Sequence, residues 1–179
     1  MNFNQFLLAI GIGMSMLVYY SATGQPSPIH VDHEITSLPI IGEGVNGDTI
    51  SLADFRRKYV VVEVWAPWSK GCPRTSKKIL QLAYRIRKNK KSVRLIRYAL
   101  DSDRDRWIQA ITTSKRSPRW IVNVRDPYGH LSLLTQRMEI KKLPYLMVFS
   151  PKGELIYRGN NVQHAMAATM ERIKKKKRR

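Results

Sequence analysis

The stretch from Val60 to Arg74 constrains this chain more than any other. Val60-Val61-Val62-Glu63-Val64-Trp65 packs four valines and a tryptophan into six residues, a run that reads as a strand buried on both faces. The run stops at Pro67 in a turn, and from Pro73 onward the pattern becomes helical. A buried strand feeding a helix is where α/β proteins place their chemistry, outside the carboxyl end of the strand. Cys72, the single cysteine, falls at the start of that helix, where unpaired amide N–H groups and the helix dipole are expected to favour a thiolate. Ser69 stands three residues before it. Glu63, alone among the valines, is either at a solvated rim, buried with a raised pKa, or the partner of a cation.

One cysteine excludes an intramolecular disulfide, and with it a Cys-x-x-Cys redox couple or a two-cysteine resolving cycle. It also excludes a cysteine-based zinc site, because His30, His33, His130 and His164 lack ligand-like spacing to Cys72; no metal or cofactor is expected. Length allows one domain with a proper core and is short for two of average size. Charge is the outlier: 32 Lys and Arg against 13 Asp and Glu give a net +19, a field that attracts acidic proteins, anionic membrane or nucleic acid.

Residues 3–20 are apolar apart from Asn4, Gln5 and Ser15, a length between a signal-peptide core and a short membrane span. Residues 1–24 are therefore read as a signal peptide or membrane anchor, and 25–37, opening with Gln25-Pro26-Ser27-Pro28, as a linker. The globular domain is placed at 38–173, followed by a basic tail, Lys174 to Arg179.

Within the domain, Gly42 to Asp48 predicts a hairpin around Asn46-Gly47, and Leu52 to Phe55 a short turn against the central strand. Ile79, Leu82, Ala83 and Ile86 mark an amphipathic helix, and Val93 to Leu100 the next strand. Asp101-Ser102-Asp103 caps a helix carrying Trp107, Ile108 and Ile111, with Asp105 in capping-box register to Ser102. A short strand at Trp120 to Val124, a turn at Asp126 to Gly129 and a short helix at Leu131 to Arg137 follow. The last helix shows Val162, Ala165, Met166, Thr169, Met170 and Ile173 at helical spacing.

The segment Trp65-Ala66-Pro67-Trp68-Ser69-Lys70-Gly71-Cys72 resembles the active-site segment of the thioredoxin superfamily, in which a strand ending Trp-Ala-x-Trp leads into Cys-x-x-Cys. Here Ser69 stands in the place of the first cysteine. Lys142-Leu143-Pro144-Tyr145-Leu146-Met147-Val148-Phe149 is similar to the family's cis-proline loop entering a strand, and Ser150 to Gly159 to its hairpin. Val45 to Phe55 resembles the hairpin of membrane-anchored envelope proteins of the cytochrome-maturation type. The resemblance covers Pro39 to Ile173. It implies an α/β thioredoxin-like fold, a central mixed sheet flanked by helices, with an N-terminal hairpin extension.

For the site, the resemblance implies Cys72 as the shielded thiol and Ser69 in the exposed position, where a hydroxyl does not exchange with a disulfide. Glu63 aligns with the buried acid that serves as proton carrier. Leu143 and Pro144 would offer open backbone to an extended peptide, with Trp68 as an apolar wall of the same groove. The expected function is a membrane-associated peptide- or protein-binding member of a thiol-disulfide oxidoreductase family, without dithiol exchange, in the cell envelope. The alternative is a monothiol redox enzyme using Cys72, as disulfide reductase, isomerase or peroxidase. Ser69-Lys70-Gly71-Cys72-Pro73 is similar to the peroxiredoxin Thr-x-x-Cys-Pro, although Trp65 stands where those enzymes carry a proline. Eleven cations and no acid lie between Lys70 and Arg97. Acidic clients and an anionic membrane surface are the expected partners; no helix-turn-helix, finger or stacking motif supports nucleic acid.

Overall fold

The computed structural model describes residues 40–72, 77–81, 84, 93–113 and 121–177, with side chains to residue 173. Backbone contacts divide the chain into two units, Met1–His30 and Val31–Arg179, and every described residue lies in the second. The expected anchor at 1–24 and linker at 25–37 lie outside the described residues. Among the described residues no helix is long and apolar enough to cross a membrane.

Seven strands form one mixed sheet: β1 (Ile41–Gly44), β2 (Thr49–Ser51), β3 (Tyr59–Trp65), β4 (Val93–Leu100), β5 (Ile121–Asp126), β6 (Tyr145–Phe149) and β7 (Leu155–Gly159). Their order across the sheet is β2-β1-β5-β4-β3-β6-β7. The helices are α1 (Arg104–Thr113), α2 (Leu133–Arg137) and α3 (Val162–Lys177); Cys72, 77–81 and 84 are also helical. α3 continues through the first four residues of the basic tail.

β3 is the centre, parallel to β4 on one side and antiparallel to β6 on the other, and all seven of its residues are buried. Its valines divide by parity, as the period of two demands. Val60, Val62 and Val64 face a core with Ile96, Tyr98, Met147 and Phe149, closed by Leu134 and Met138. Val61 faces the other side with Leu95, Leu146 and Val148, under Ile79, Ala165 and Ile173. Glu63 and Trp65 share the parity of Val61, so the acid enters the layer covered by helices.

The hairpin expected around Asn46-Gly47 forms β1 and β2. Gly47 takes a φ of 83°, which glycine adopts without the steric cost a side chain would meet. This hairpin is part of the main sheet, since Glu43 and Gly44 pair with Arg125 and Val124 of β5. The turn at Leu52–Phe55 is held by a capping box between Ser51 and Asp54.

Three local readings shift. The strand expected at Trp120 to Val124 runs to Asp126, and the helix expected at Leu131 to Arg137 divides into a 3-10 turn, Gly129–Leu131, and α2. α1 is capped by Asp103 instead of Ser102. The Arg106 N–H donates to Asp103 Oδ1 at 3.0 Å, while Asp101 Oδ1 accepts from the Asp103 N–H. A capping box in the Ser102–Asp105 register is therefore one residue out of step. The buried Asp101 carboxylate also receives the Arg106 guanidinium, which fixes the turn so that Asp103 is left to cap.

Candidate functional site around Cys72 and Pro144

β3 and β4 run parallel, so Trp65 and Leu100 end at the same edge of the sheet. β6 runs opposite and begins there, with Tyr145 paired to Val64. Topology thus brings the turn after Trp65 and the Leu143-Pro144 segment together at one edge. The Leu143-Pro144 peptide bond is cis. Contact between the two segments is close: a Cβ built on Gly71 would lie 3.2 Å from the Leu143 carbonyl oxygen and 3.5 Å from the Pro144 ring. Glycine at position 71 is what lets the cysteine turn approach this backbone.

Asn160, just past β7, holds the proline segment from the other side. Its Nδ2 donates to the Lys142 carbonyl at 3.1 Å and to the Pro144 carbonyl at 2.5 Å. Leu143 is flanked by two carbonyls that are already engaged. Trp68 projects at the mouth of this region, 55% exposed, an unusual state for the largest apolar side chain.

Cys72 is buried, with Trp65, Ala99, Trp107 and Ile111 in its cluster. Its N–H donates to the Ser69 carbonyl at 3.1 Å. Burial pushes the thiol pKa above its ordinary value, and Glu63 adds to the rise. Hydrogen bonds from Ser69 and Ala66, and the charge of Arg97, pull the other way. The thiolate expected from the helix start is thus disfavoured, because desolvation of the charged form outweighs the few dipoles aimed at it.

Glu63 is fully buried and pairs with Arg97, whose Nε donates to Glu63 Oε2 at 2.8 Å. The two residues are directly in register between β3 and β4. Of the alternatives open for Glu63, the cation partner is the one found. Arg97 also lies over the Trp65 ring, its Cζ 4.3 Å from the centroid. Arg97 accordingly leaves the positive surface with which it was grouped: it is 2% exposed, whereas Lys70, Lys77 and Lys78 are exposed. Arg74, Arg85, Arg87, Lys88, Lys90 and Lys91 lie outside the described residues.

All six expected site residues therefore converge on one region of the molecule. Ser69 and Cys72 share a turn, Glu63 lies in the layer beneath, and Leu143 and Pro144 face Gly71 near Trp68. The sequence reading missed Arg97 as the partner of Glu63, Asn160 as the support of the proline segment, and Gly71 as the point of close approach. Arg97 had a signal: a charged residue in Leu95-Ile96-Arg97-Tyr98-Ala99, a run as apolar as the one that holds Glu63. Asn160 had none, since its role depends on β7 returning beside β6.

A central mixed sheet with a cysteine turn at one strand end and a cis-proline facing it defines the thioredoxin-like class. The family model described as Thioredoxin-like matches residues 57–155, and the chain belongs to that family. Its structural neighbours are thiol-disulfide oxidoreductases. A thiol-disulfide oxidoreductase from Bacteroides fragilis is 25% identical with a TM-score of 0.63, and the match covers 76% of this chain and 96% of that one. A putative thiol:disulfide interchange protein DsbE from Chlorobium tepidum is 17% identical over 76% of this chain and 92% of its own, with a TM-score of 0.60. A secreted disulfide oxidoreductase of Mycobacterium tuberculosis is 15% identical over 78% and 98%, with a TM-score of 0.59. The latter two share the fold. No curated protein sequence matches the chain.

Proposed function

We propose that this protein binds extended peptide segments of client proteins at Trp68 and the Leu143-Pro144 backbone, and that it does so without disulfide exchange. The observation that carries the reading is the close contact of Gly71 with Leu143 and Pro144 beside an exposed Trp68, in a turn whose only thiol is buried. An extended chain laid against such an edge gains main-chain hydrogen bonds, with an apolar side chain seated on the indole. Exchange requires an exposed thiolate and a second thiol to resolve the mixed disulfide. Ser69, half-buried, stands where the resemblance puts the family's first cysteine, and Cys72 is the only cysteine of the chain.

Cys72, Ser69 and Glu63 retain the layout of a redox site, and the monothiol alternative would use them. The raised thiol pKa counts against that alternative, because the thiolate is the reacting species. The reading extends to place: the domain works in the cell envelope, tethered through residues 1–24, with acidic clients and anionic lipid drawn by the net charge of +19. The apolar run at 3–20 supports this, as does the secreted relative.

The test is insulin reduction by the wild-type chain with dithiothreitol, run beside Ser69→Cys. The expected result is no turnover by wild type and a disulfide between the new cysteine and Cys72 in the variant. Wild-type turnover abolished by Cys72→Ala would give the site to the monothiol enzyme. In parallel, an extended peptide carrying an aromatic residue should quench Trp68 fluorescence, and Trp68→Ala should lose the binding.

A further inference from the structure

A pocket of about 650 Å³ opens beside Trp68, lined by residues of the helical segment 77–81 and of α1. Trp68 and Cys72 line it while Ser69, Gly71, Leu143 and Pro144 do not, so it adjoins the proposed peptide groove and shares the Trp68 indole with it, but its polar groups, Lys77 among them, are its own. Its size is that of a small-molecule site, which runs from about 300 to 1,000 Å³. Trp65, Trp68, Leu80 and Ala110 form an apolar wall.

Three of the polar groups at its surface are cationic donors. Lys77, Arg97, Arg106, Gln109 and Thr113 line it, and among the described residues no Asp or Glu does. Two of the three cations are matched from elsewhere: Glu63 holds Arg97, while Asp101 and Asp103 hold Arg106. Lys77 forms no ion pair among the described residues. Thr113 Oγ1 already donates to the Gln109 carbonyl at 2.7 Å, so an ammonium unmatched among the described residues and the Gln109 amide beside an indole wall are what suit one negative charge on an apolar body. A phosphate ester would bring a second charge for which no further unmatched cation stands ready among the described residues.

From this juxtaposition we infer that the pocket binds an amphipathic monocarboxylate, its carboxylate on Lys77 and its aryl or alkyl body against Trp65, Trp68 and Ala110. Burying the body against the wall supplies the bulk of the attraction, and the ammonium selects the anion over its neutral counterpart.

The experiment titrates the full chain with phenylbutyrate and, separately, with phenylbutanol and phenylbutylamine, read by tryptophan fluorescence and calorimetry. Phenylbutyrate should bind saturably, about tenfold more tightly than the alcohol, the size of one charge-assisted hydrogen bond, and the amine weakest of the three. Lys77→Gln should bring the acid down to the level of the alcohol while leaving alcohol binding unchanged. Ala110→Trp should abolish binding of both by filling the space, with a thermal midpoint to show that the variant is folded. Equal affinity for acid and alcohol overturns the inference, as does acid binding indifferent to both substitutions. No saturation by phenylbutyrate into the millimolar range overturns it as well. Binding of an acidic peptide in that last case would assign the pocket to a client side chain.

Discussion

A carboxylate and a guanidinium removed from water are costly apart and tolerable together, and Glu63 with Arg97 illustrates the asymmetry. Glu63→Leu leaves Arg97 charged and buried, and should cost about 3–5 kcal/mol in urea denaturation. Glu63→Leu with Arg97→Met should recover most of that loss, and a double variant no more stable than the single one would show that the pair is not the unit. Cys72 gives the second prediction at this scale. With its folded pKa raised, the folded state holds its proton longer than the unfolded chain. Stability should be flat below the unfolded thiol pKa of about 8.5 and fall as pH rises from there toward the folded value. Alkylation by iodoacetamide should likewise reach half its limiting rate above that of a free thiol. Of these residues, Glu63 and Cys72 stood out in the sequence because each breaks its surroundings. Arg97 was marked by the apolar run around it, but that it answers Glu63 was not legible, since the partner is chosen by β3–β4 register 34 residues away.

The elements were legible to the extent that each has a period of its own. β3 announces itself by an unbroken apolar run, and α3 by its buried stripe of Ala165, Thr169 and Ile173. The cap of α1 was not, because Asp101, Ser102 and Asp103 are all competent caps and the choice fell to Arg106, which occupies Asp101. Asp103→Ala should therefore destabilise by about 1 kcal/mol and Ser102→Ala by no more than a few tenths, as read from denaturant midpoints. Equal effects of the two would restore Ser102 as cap. Between elements, Gly71 is the sensitive point. Gly71→Val forces a branched side chain onto the Leu143 carbonyl, 3.2 Å from where Cβ must stand, and should weaken peptide binding more than it lowers the thermal midpoint.

For the whole molecule, a net charge of +19 outlasts every pairing seen in the fold. The ion pairs engage Arg97, Arg104, Arg106 and Arg125, while Lys70, Lys77 and Lys78 remain exposed beside the cysteine turn. Binding to anionic vesicles should be strong at low ionic strength and fade at several tenths molar salt, since fields between exposed charges are screened beyond about 10 Å at 0.1 M. Retention at high salt would transfer the attraction to apolar contacts.

The amino-acid sequence alone determined the sheet's central strand, the hairpin at Asn46-Gly47, the turn carrying Ser69 and Cys72, the proline segment at Leu143-Pro144 and the excess of positive charge. Each of these is local: it rests on periodicity, on the steric freedom of glycine or proline, or on a count. Tertiary structure alone decided that the Cys72 thiol is kept protonated, that Arg97 serves Glu63, that Asn160 holds the proline segment, and that Lys77 borders an apolar pocket. Those outcomes depend on which surfaces are brought together and stripped of water, and desolvation is a property of the neighbours a residue acquires.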